Sequence, residues 1–163
     1  MNIFILEDDL VQRQKLATIV KAIIDENKLG TVDIFQTGKP REMLEKVKSD
    51  SECNLYLLDI QIKNNPKTGL ELAQDIRTYD ETGIIVFITT HSEFAPKTYE
   101  YKVSAFDFID KEWPNAKISQ HVAEAINTLD DRFSHKEDNT EMFIFNNQNS
   151  NFQVPFNEIL YFE

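Results

Sequence analysis

Cysteine is almost missing from this sequence: Cys53 stands alone among 163 residues. One cysteine cannot form an intrachain disulfide, and a Cys-rich zinc site is excluded with it. No apolar run approaches the roughly 18 residues expected of a membrane helix. The opening stretch, Met1-Asn2-Ile3-Phe4-Ile5-Leu6-Glu7, has no basic region, and its apolar part is too short for a signal peptide. These absences predict a soluble, cytoplasmic protein that does not engage a membrane. Cations are also scarce, at 17 Lys+Arg against 28 Asp+Glu, a net charge of −11. Such a chain repels nucleic acid on average. Residues 137–163 have no Lys or Arg and carry five acids, Glu137, Asp138, Glu141, Glu158 and Glu163, so this tail cannot clamp phosphates. There is no internal repeat.

What is present is an ordinary globular mixture, 41% hydrophobic and 28% charged. The length supports one medium domain with a small appendix. Over the first 133 residues, apolar strands alternate with helical patterns. Asn2–Leu6 reads as a strand, and Leu16, Ile19, Val20, Ile23 and Ile24 follow at helical spacing. Val32–Phe35 predicts a second strand and Pro40–Lys48 a helix. Leu55–Leu58 predicts a third strand, with a helix near Leu70–Arg77. Ile84–Ile88 is continuous and β-branched, the pattern of a strand buried on both faces. A helix over Glu93–Tyr101, a strand over Ala105–Ile109 and a long helix from Ile118 to Phe133 complete the series. Five strands alternating with five helices predict an α/β fold, a doubly wound five-stranded parallel sheet. Ligands of such folds lie beyond the carboxyl ends of the strands.

The pattern then changes. Ser134–Thr140 is polar and aperiodic and reads as a linker. Met142–Phe145 and Asn151–Pro155 read as strands around an Asn-rich turn, and Ile159-Leu160-Tyr161-Phe162 begins a third. This short C-terminal β segment is too small to bury its own core. It is expected to open a longer second domain, or to be a hairpin that packs on a partner.

Chemistry collects at the strand ends. The first strand ends in Glu7-Asp8-Asp9, the third in Asp59, the fourth in Thr89-Thr90 and the fifth in Asp110-Lys111. Clustered carboxylates repel one another unless a cation sits among them. Oxygen-only ligands suit a hard octahedral ion, which points to Mg²⁺. A carboxylate beside such an ion can attack phosphorus and form an acyl phosphate. The metal and a lysine would neutralise charge on the transferring phosphoryl oxygens. Plainer readings compete at single positions. Asp9-Leu10-Val11-Gln12 fits a helix N-cap, which is preferred over metal binding for Asp9. Thr89 fits strand propensity, and Lys111 alone is a surface lysine. His91 reads as a surface histidine, His121 and His135 have no evident partner, and Cys53 reads as a small core residue. Trp113-Pro114 is expected to set the entry of the last helix.

Taken in order, these residues resemble the receiver domain of two-component response regulators, over residues 1–133. That family has an acidic pair, a phosphoacceptor Asp, a Thr or Ser, an aromatic residue and a Lys, matched here by Glu7/Asp8, Asp59, Thr89, Phe108 and Lys111. The resemblance implies a flavodoxin-like fold in which Glu7, Asp8, Asp59 and the backbone carbonyl of Gln61 hold Mg²⁺. It implies that Asp59 is phosphorylated by a sensor histidine kinase. Thr89 and Lys111 would hold the phosphoryl oxygens, and Phe108 would change rotamer as Thr89 shifts.

Phe4-Ile5-Leu6-Glu7-Asp8-Asp9, Tyr56-Leu57-Leu58-Asp59-Ile60-Gln61, Ile88-Thr89-Thr90-His91-Ser92-Glu93 and Val103-Ser104-Ala105-Phe106-Asp107-Phe108 resemble Agr-type and competence-type regulators. Those serve peptide-pheromone quorum sensing in Gram-positive bacteria and join a receiver to a LytTR DNA-binding domain. Residues 141–163 resemble the opening of that domain. This implies transcriptional control with DNA binding only in a full-length form, and a homodimer face over 93–101, 105–109 and 115–133. Glu7 in place of the commoner Asp, Glu112 in place of a Pro after Lys111, and the long loop from Asp59 to Gly69 depart from the general pattern. Two other readings remain: a receiver-like interaction module independent of phosphorylation, and a Mg²⁺-dependent aspartyl-nucleophile phosphatase. The second lacks the general acid that such enzymes carry two residues after the nucleophile, where Gln61 stands.

Overall fold

The computed structural model describes residues 1–49, 53–63, 65, 67–138, 142–147 and 150–155. Five parallel strands, β1 (Asn2–Leu6), β2 (Asp33–Thr37), β3 (Asn54–Leu58), β4 (Ile84–Thr89) and β5 (Asp107–Asp110), form one sheet in the order β2-β1-β3-β4-β5. The connecting helices are α1 (Leu10–Glu26), α2 (Pro40–Lys48), α3 (Thr68–Tyr79) and α4 (Lys97–Glu100), and α5 (Asn115–Asp138) follows β5. The order reverses between β1 and β3, which opens a crevice at their carboxyl ends.

Burial explains why these segments become strands. Every residue of β3 and β4 is buried, whereas the edge strands β2 and β5 are mostly half-buried. Alternate residues point to opposite faces. Phe4, Leu6, Tyr56, Leu58, Ile85 and Phe87 pack with Met43 and Val47 of α2 and with Leu70, Ala73 and Ile76 of α3. On the other face, Ile88 lines one hollow with Leu16 and Ile19 of α1 and Ile118 of α5. Helix α1 buries Leu16, Ala17, Val20 and Ile23, the spacing of one helical stripe.

Several boundaries differ from the sequence expectation. The helix predicted over Glu93–Tyr101 is a 3₁₀ turn at Ser92–Phe94 followed by the single turn of α4. Pro96 has no N–H to donate, and the local bonds Ala95 N to Ser92 O, Thr98 N to Ala95 O and Tyr99 N to Pro96 O all span three residues. Lys102 and Ser104 then adopt φ of 52° and 47°, which stops any helix. The same break moves the fifth strand from Ala105–Ile109 to Asp107–Asp110. Strand β2 runs to Thr37 rather than Phe35, because the Thr37 carbonyl accepts from Glu7 N (3.1 Å). The linker predicted over Ser134–Thr140 is helical through Asp138: no Gly or Pro interrupts α5 there.

The chain divides into two compact units, Met1–Asp130 and Asp131–Glu163. In the second, β6 (Met142–Asn147) and β7 (Ser150–Pro155) pair antiparallel, closed by Asn147 opposite Ser150. The third strand expected at Ile159–Phe162 lies outside the described residues. Among the described residues, no helix is long and apolar enough to cross a membrane.

One contact positions the crevice. Gly69 donates its N–H to the Ile60 carbonyl (2.8 Å), and a Cβ at 69 would meet Asp59 O at 2.0 Å and Ile60 Cα at 2.7 Å. Helix α3 therefore reaches the backbone of Asp59 only because residue 69 has no side chain. Gly69→Ala is expected to lower stability by about 2–3 kcal/mol in urea unfolding, as backbone must shift to admit the methyl. Gly30→Ala, with nothing within 4 Å, is expected to stay within about 0.5 kcal/mol of the parent.

Candidate functional site

The crevice gathers groups from four strand ends. Glu7 follows β1 and is held there by its backbone N–H on Thr37 O, while Asp59 follows β3 with its N–H on Leu6 O (2.9 Å). Lys111 follows β5, its backbone N–H donated to Thr89 O (3.0 Å). From this position the Lys111 ammonium reaches both acids: Nζ donates to Glu7 Oε2 at 2.5 Å and to Asp59 Oδ2 at 2.6 Å. All three side chains are largely buried, at 4% exposed for Glu7, 9% for Asp59 and 14% for Lys111. Glu7 Oε1 accepts from Asp9 N (3.1 Å), and Asp59 Oδ1 accepts from Gln61 N (3.3 Å).

Asp8 is exposed, and its Oδ2 accepts from Lys63 N (2.8 Å) in the β3–α3 loop. Lys63 presents that amide from a left-handed backbone, φ 49°, inside a turn closed by paired bonds between Ile62 and Asn65. The long loop thus supports the acidic cluster directly. Asp9 turns away to the helix: its Oδ1 accepts from Gln12 N (2.8 Å) and caps α1.

One carboxylate oxygen each from Glu7, Asp8 and Asp59 lie within 4.8 Å of one another. Oxygens about 2.1 Å from an octahedral Mg²⁺ sit about 3 Å apart when adjacent and about 4.2 Å apart when opposite, so the three carboxylates would draw closer to supply half of such a shell. The donor set is all oxygen, and three carboxylates face one ammonium, an imbalance a divalent cation cancels. The residues fit Mg²⁺.

The cleft above them holds about 180 Å³ and is lined by acids Glu7, Asp8, Asp9 and Asp59 with Gln12, Gln61, Thr90, His91 and Lys111. Thr89 is fully buried, and its Oγ1 accepts from His91 N (3.2 Å). Phe108 pairs with Phe87 across β4–β5 while Thr89 pairs with Asp110, so Thr89 and Phe108 are diagonal neighbours. The Phe108 and Phe87 ring centroids are 6.1 Å apart.

Sequence reasoning missed several participants. Thr90, named at the end of the fourth strand but given no role, and His91, read as a surface histidine, both line the cleft. The guanidinium of Arg13 donates from Nη1 to the Glu7 carbonyl (2.7 Å), and Lys63 serves through its backbone. His91 has a carboxylate partner, Glu93, at 2.9 Å, and His121 contacts Asp107 at 2.6 Å. Only the place of Thr90 and His91, directly after a buried strand, carried a sequence signal for the cleft. The bond from Lys111 to Glu112 is trans, as are all those described.

Burial pushes the Glu7 carboxyl up. The hydrogen bond and charge of Lys111 pull it back, and the charge of Asp59 pushes it up again. Burial opposes the charge of Lys111, but its two carboxylate partners outweigh that and raise it. Lys111→Met removes the ammonium and raises the Glu7 carboxyl further. A carboxyl raised on folding gives stability that is full below its unfolded range and lost as pH rises through its folded value. The variant should therefore be less stable than the parent at neutral pH, by roughly 3 kcal/mol, and the deficit should shrink as pH falls. Urea unfolding at a series of pH values checks both the sign and the trend.

Residues 3–123 match the family model described as the response regulator receiver domain. The whole chain is similar to accessory gene regulator protein A of Staphylococcus aureus (strain N315), 33% identical over 165 residues and covering 68% of that protein. Its fold is similar to the N-terminal domain of a response regulator/sensory box/GGDEF protein from Carboxydothermus hydrogenoformans. That match has a TM-score of 0.61 and 22% identity, over 84% of this chain and 99% of that one. It is also similar to the response regulator TrrA from Thermotoga maritima, solved in complex with Mg²⁺-BeF. There the TM-score is 0.57 and the identity 21%, over 76% of this chain and 97% of that one. The chain therefore belongs to the response regulator receiver domain family and is related to the accessory gene regulator A proteins.

Proposed function

We propose that this chain is a phosphorylation-controlled switch whose phosphoacceptor is Asp59. The observation that carries this reading is the shared ammonium: Lys111 bridges Asp59 and Glu7, with an Asp8 carboxylate oxygen within 4.8 Å of theirs. A sensor histidine kinase presents phosphohistidine. An Asp59 carboxylate oxygen attacks phosphorus, the P–N bond breaks, and the imidazole nitrogen leaves with its electron pair. Mg²⁺, held by Glu7, Asp8, Asp59 and the Gln61 carbonyl, supplies charge neutralisation when bound. Lys111 releases Asp59 Oδ2 and pairs with a phosphoryl oxygen in its place. The Thr89 hydroxyl, whose oxygen already accepts from His91, keeps its proton free to donate to another phosphoryl oxygen.

Movement of Thr89 then reaches its diagonal neighbour Phe108, at the edge strand. That strand, the segment 93–101 and residues 115–133 form the face we assign to homodimerisation, where Tyr99 and Phe106 are exposed. Residues 1–133 act as the receiver, 134–140 as the connection, and 141–163 as the start of a LytTR-type domain. DNA binding and control of transcription in peptide-pheromone signalling belong to a full-length form. The setting proposed is the cytoplasm. The protein is a regulator that catalyses only its own phosphoryl transfer and dephosphorylation. A metabolic phosphatase is disfavoured because Gln61 brings an amide to the cleft in place of a carboxylic acid.

Intact-mass analysis after incubation with phosphoramidate tests the reading. A single phosphoryl adduct that needs Mg²⁺ and is absent from Asp59→Asn is expected. Thr89→Ala should still form the adduct but fail to shift to dimer in sedimentation. No adduct from either phosphoramidate or a histidine kinase would contradict the proposal and favour a phosphorylation-independent module.

A further inference from the structure

Glu7 and Asp8 are joined by one peptide group, and a rigid peptide plane turns as a unit. The two torsions that flank this peptide set how the Glu7 and Asp8 side chains are directed relative to each other. Outside β1, the turn they occupy has little ladder support beyond Glu7 N on Thr37 O. The oxygen of this same peptide, Glu7 O, accepts from Arg13 Nη1 at 2.7 Å. Arg13 lies in the first turns of α1, its backbone N–H on Asp9 O (2.9 Å), so the helix fixes where the guanidinium starts. A third segment meets the same point. A Cβ on Gly38, after β2, would lie 2.9 Å from Arg13 Nη1, 3.1 Å from Asp8 Cα and 3.3 Å from Glu7 O. The missing side chain at 38 leaves room for the guanidinium against the peptide.

We infer that Arg13, admitted by Gly38, is a positioning residue that locks the Glu7–Asp8 peptide so that both carboxylates face a divalent cation. The inference rests on the Mg²⁺-dependent reading above. Arg13 does not contact the cation. It holds the backbone from which two ligands project, in the way groups behind a metal shell set its affinity.

Mn²⁺ serves as probe because it shares the oxygen-ligand preference of Mg²⁺. Its free aqueous electron paramagnetic resonance signal reports binding directly. Arg13→Met is expected to weaken Mn²⁺ binding about 10-fold or more, and Arg13→Lys to recover part of the loss. Gly38→Ala should weaken binding as well. The double variant should lose less than the product of the two single effects, since both act through one contact. In phosphoramidate assays, Arg13→Met should raise the half-saturating Mg²⁺ concentration while the rate at saturating Mg²⁺ stays within about twofold of the parent.

Folded Arg13→Met and Gly38→Ala variants that bind Mn²⁺ as the parent does would overturn the inference. So would a fall in maximal rate with unchanged Mn²⁺ affinity. If Arg13→Met fails to fold, Arg13→Lys and Gly38→Ala decide the question. A parent protein that neither binds Mn²⁺ nor takes up a phosphoryl group overturns the Mg²⁺-dependent reading itself, and the brace with it.

Discussion

Two buried carboxylates share one ammonium group, and the rest of the molecule is arranged so that they can. Lys111 bridges Glu7 and Asp59 within 2.6 Å of each. Buried acids this close would repel, and burial already opposes the ionised form of Glu7. The lysine makes the cluster tolerable without satisfying it, since exposed Asp8 adds a third carboxylate beside the pair. A cluster left short of positive charge is poised for a divalent cation. Were Asp59 to take a phosphoryl group, Lys111, already resting on its oxygen, would need only a short movement to reach a phosphoryl oxygen.

The sheet brings these groups together from positions far apart in sequence. β1 and β3 are adjacent and in register, so Leu6 and Leu58 are partners and the next residues, Glu7 and Asp59, emerge side by side. β4 and β5 end beside them, with Thr89 opposite Asp110 and Lys111 one residue beyond. The apolar strand interiors therefore dictate where the polar ends fall. Support comes from behind: Gly69 lets α3 touch the Asp59 backbone, and the loop before it offers Lys63 N–H to Asp8.

Much of this was legible in the sequence because it is written in period and position. Apolar runs marked the strands, and their last residues marked the crevice. Asp9 with Gln12 reads as a cap and is one. The misreadings have physical causes. Helical spacing over Glu93–Tyr101 hid the effect of Pro96, around which the bonds from Ala95, Thr98 and Tyr99 N span three residues before Tyr101 N reaches Lys97 O. Polar Ser134–Asp138 carries no apolar stripe, yet the helix runs on through it, because helix continuation needs only backbone bonds. Arg13, Gly38 and Lys63 were invisible as site residues. Their contributions are a guanidinium on a carbonyl, an absent Cβ and a backbone N–H, none of which leaves a side-chain pattern.

The central claim is that the acceptor is Asp59, one of the two carboxylates that Lys111 bridges. Borohydride reduction converts an aspartyl phosphate to homoserine, and peptide mass mapping then locates the converted residue. The account predicts homoserine at position 59 and nowhere else. Conversion at Glu7, Asp8 or another acid, or a phosphoryl group that resists reduction altogether, would contradict it.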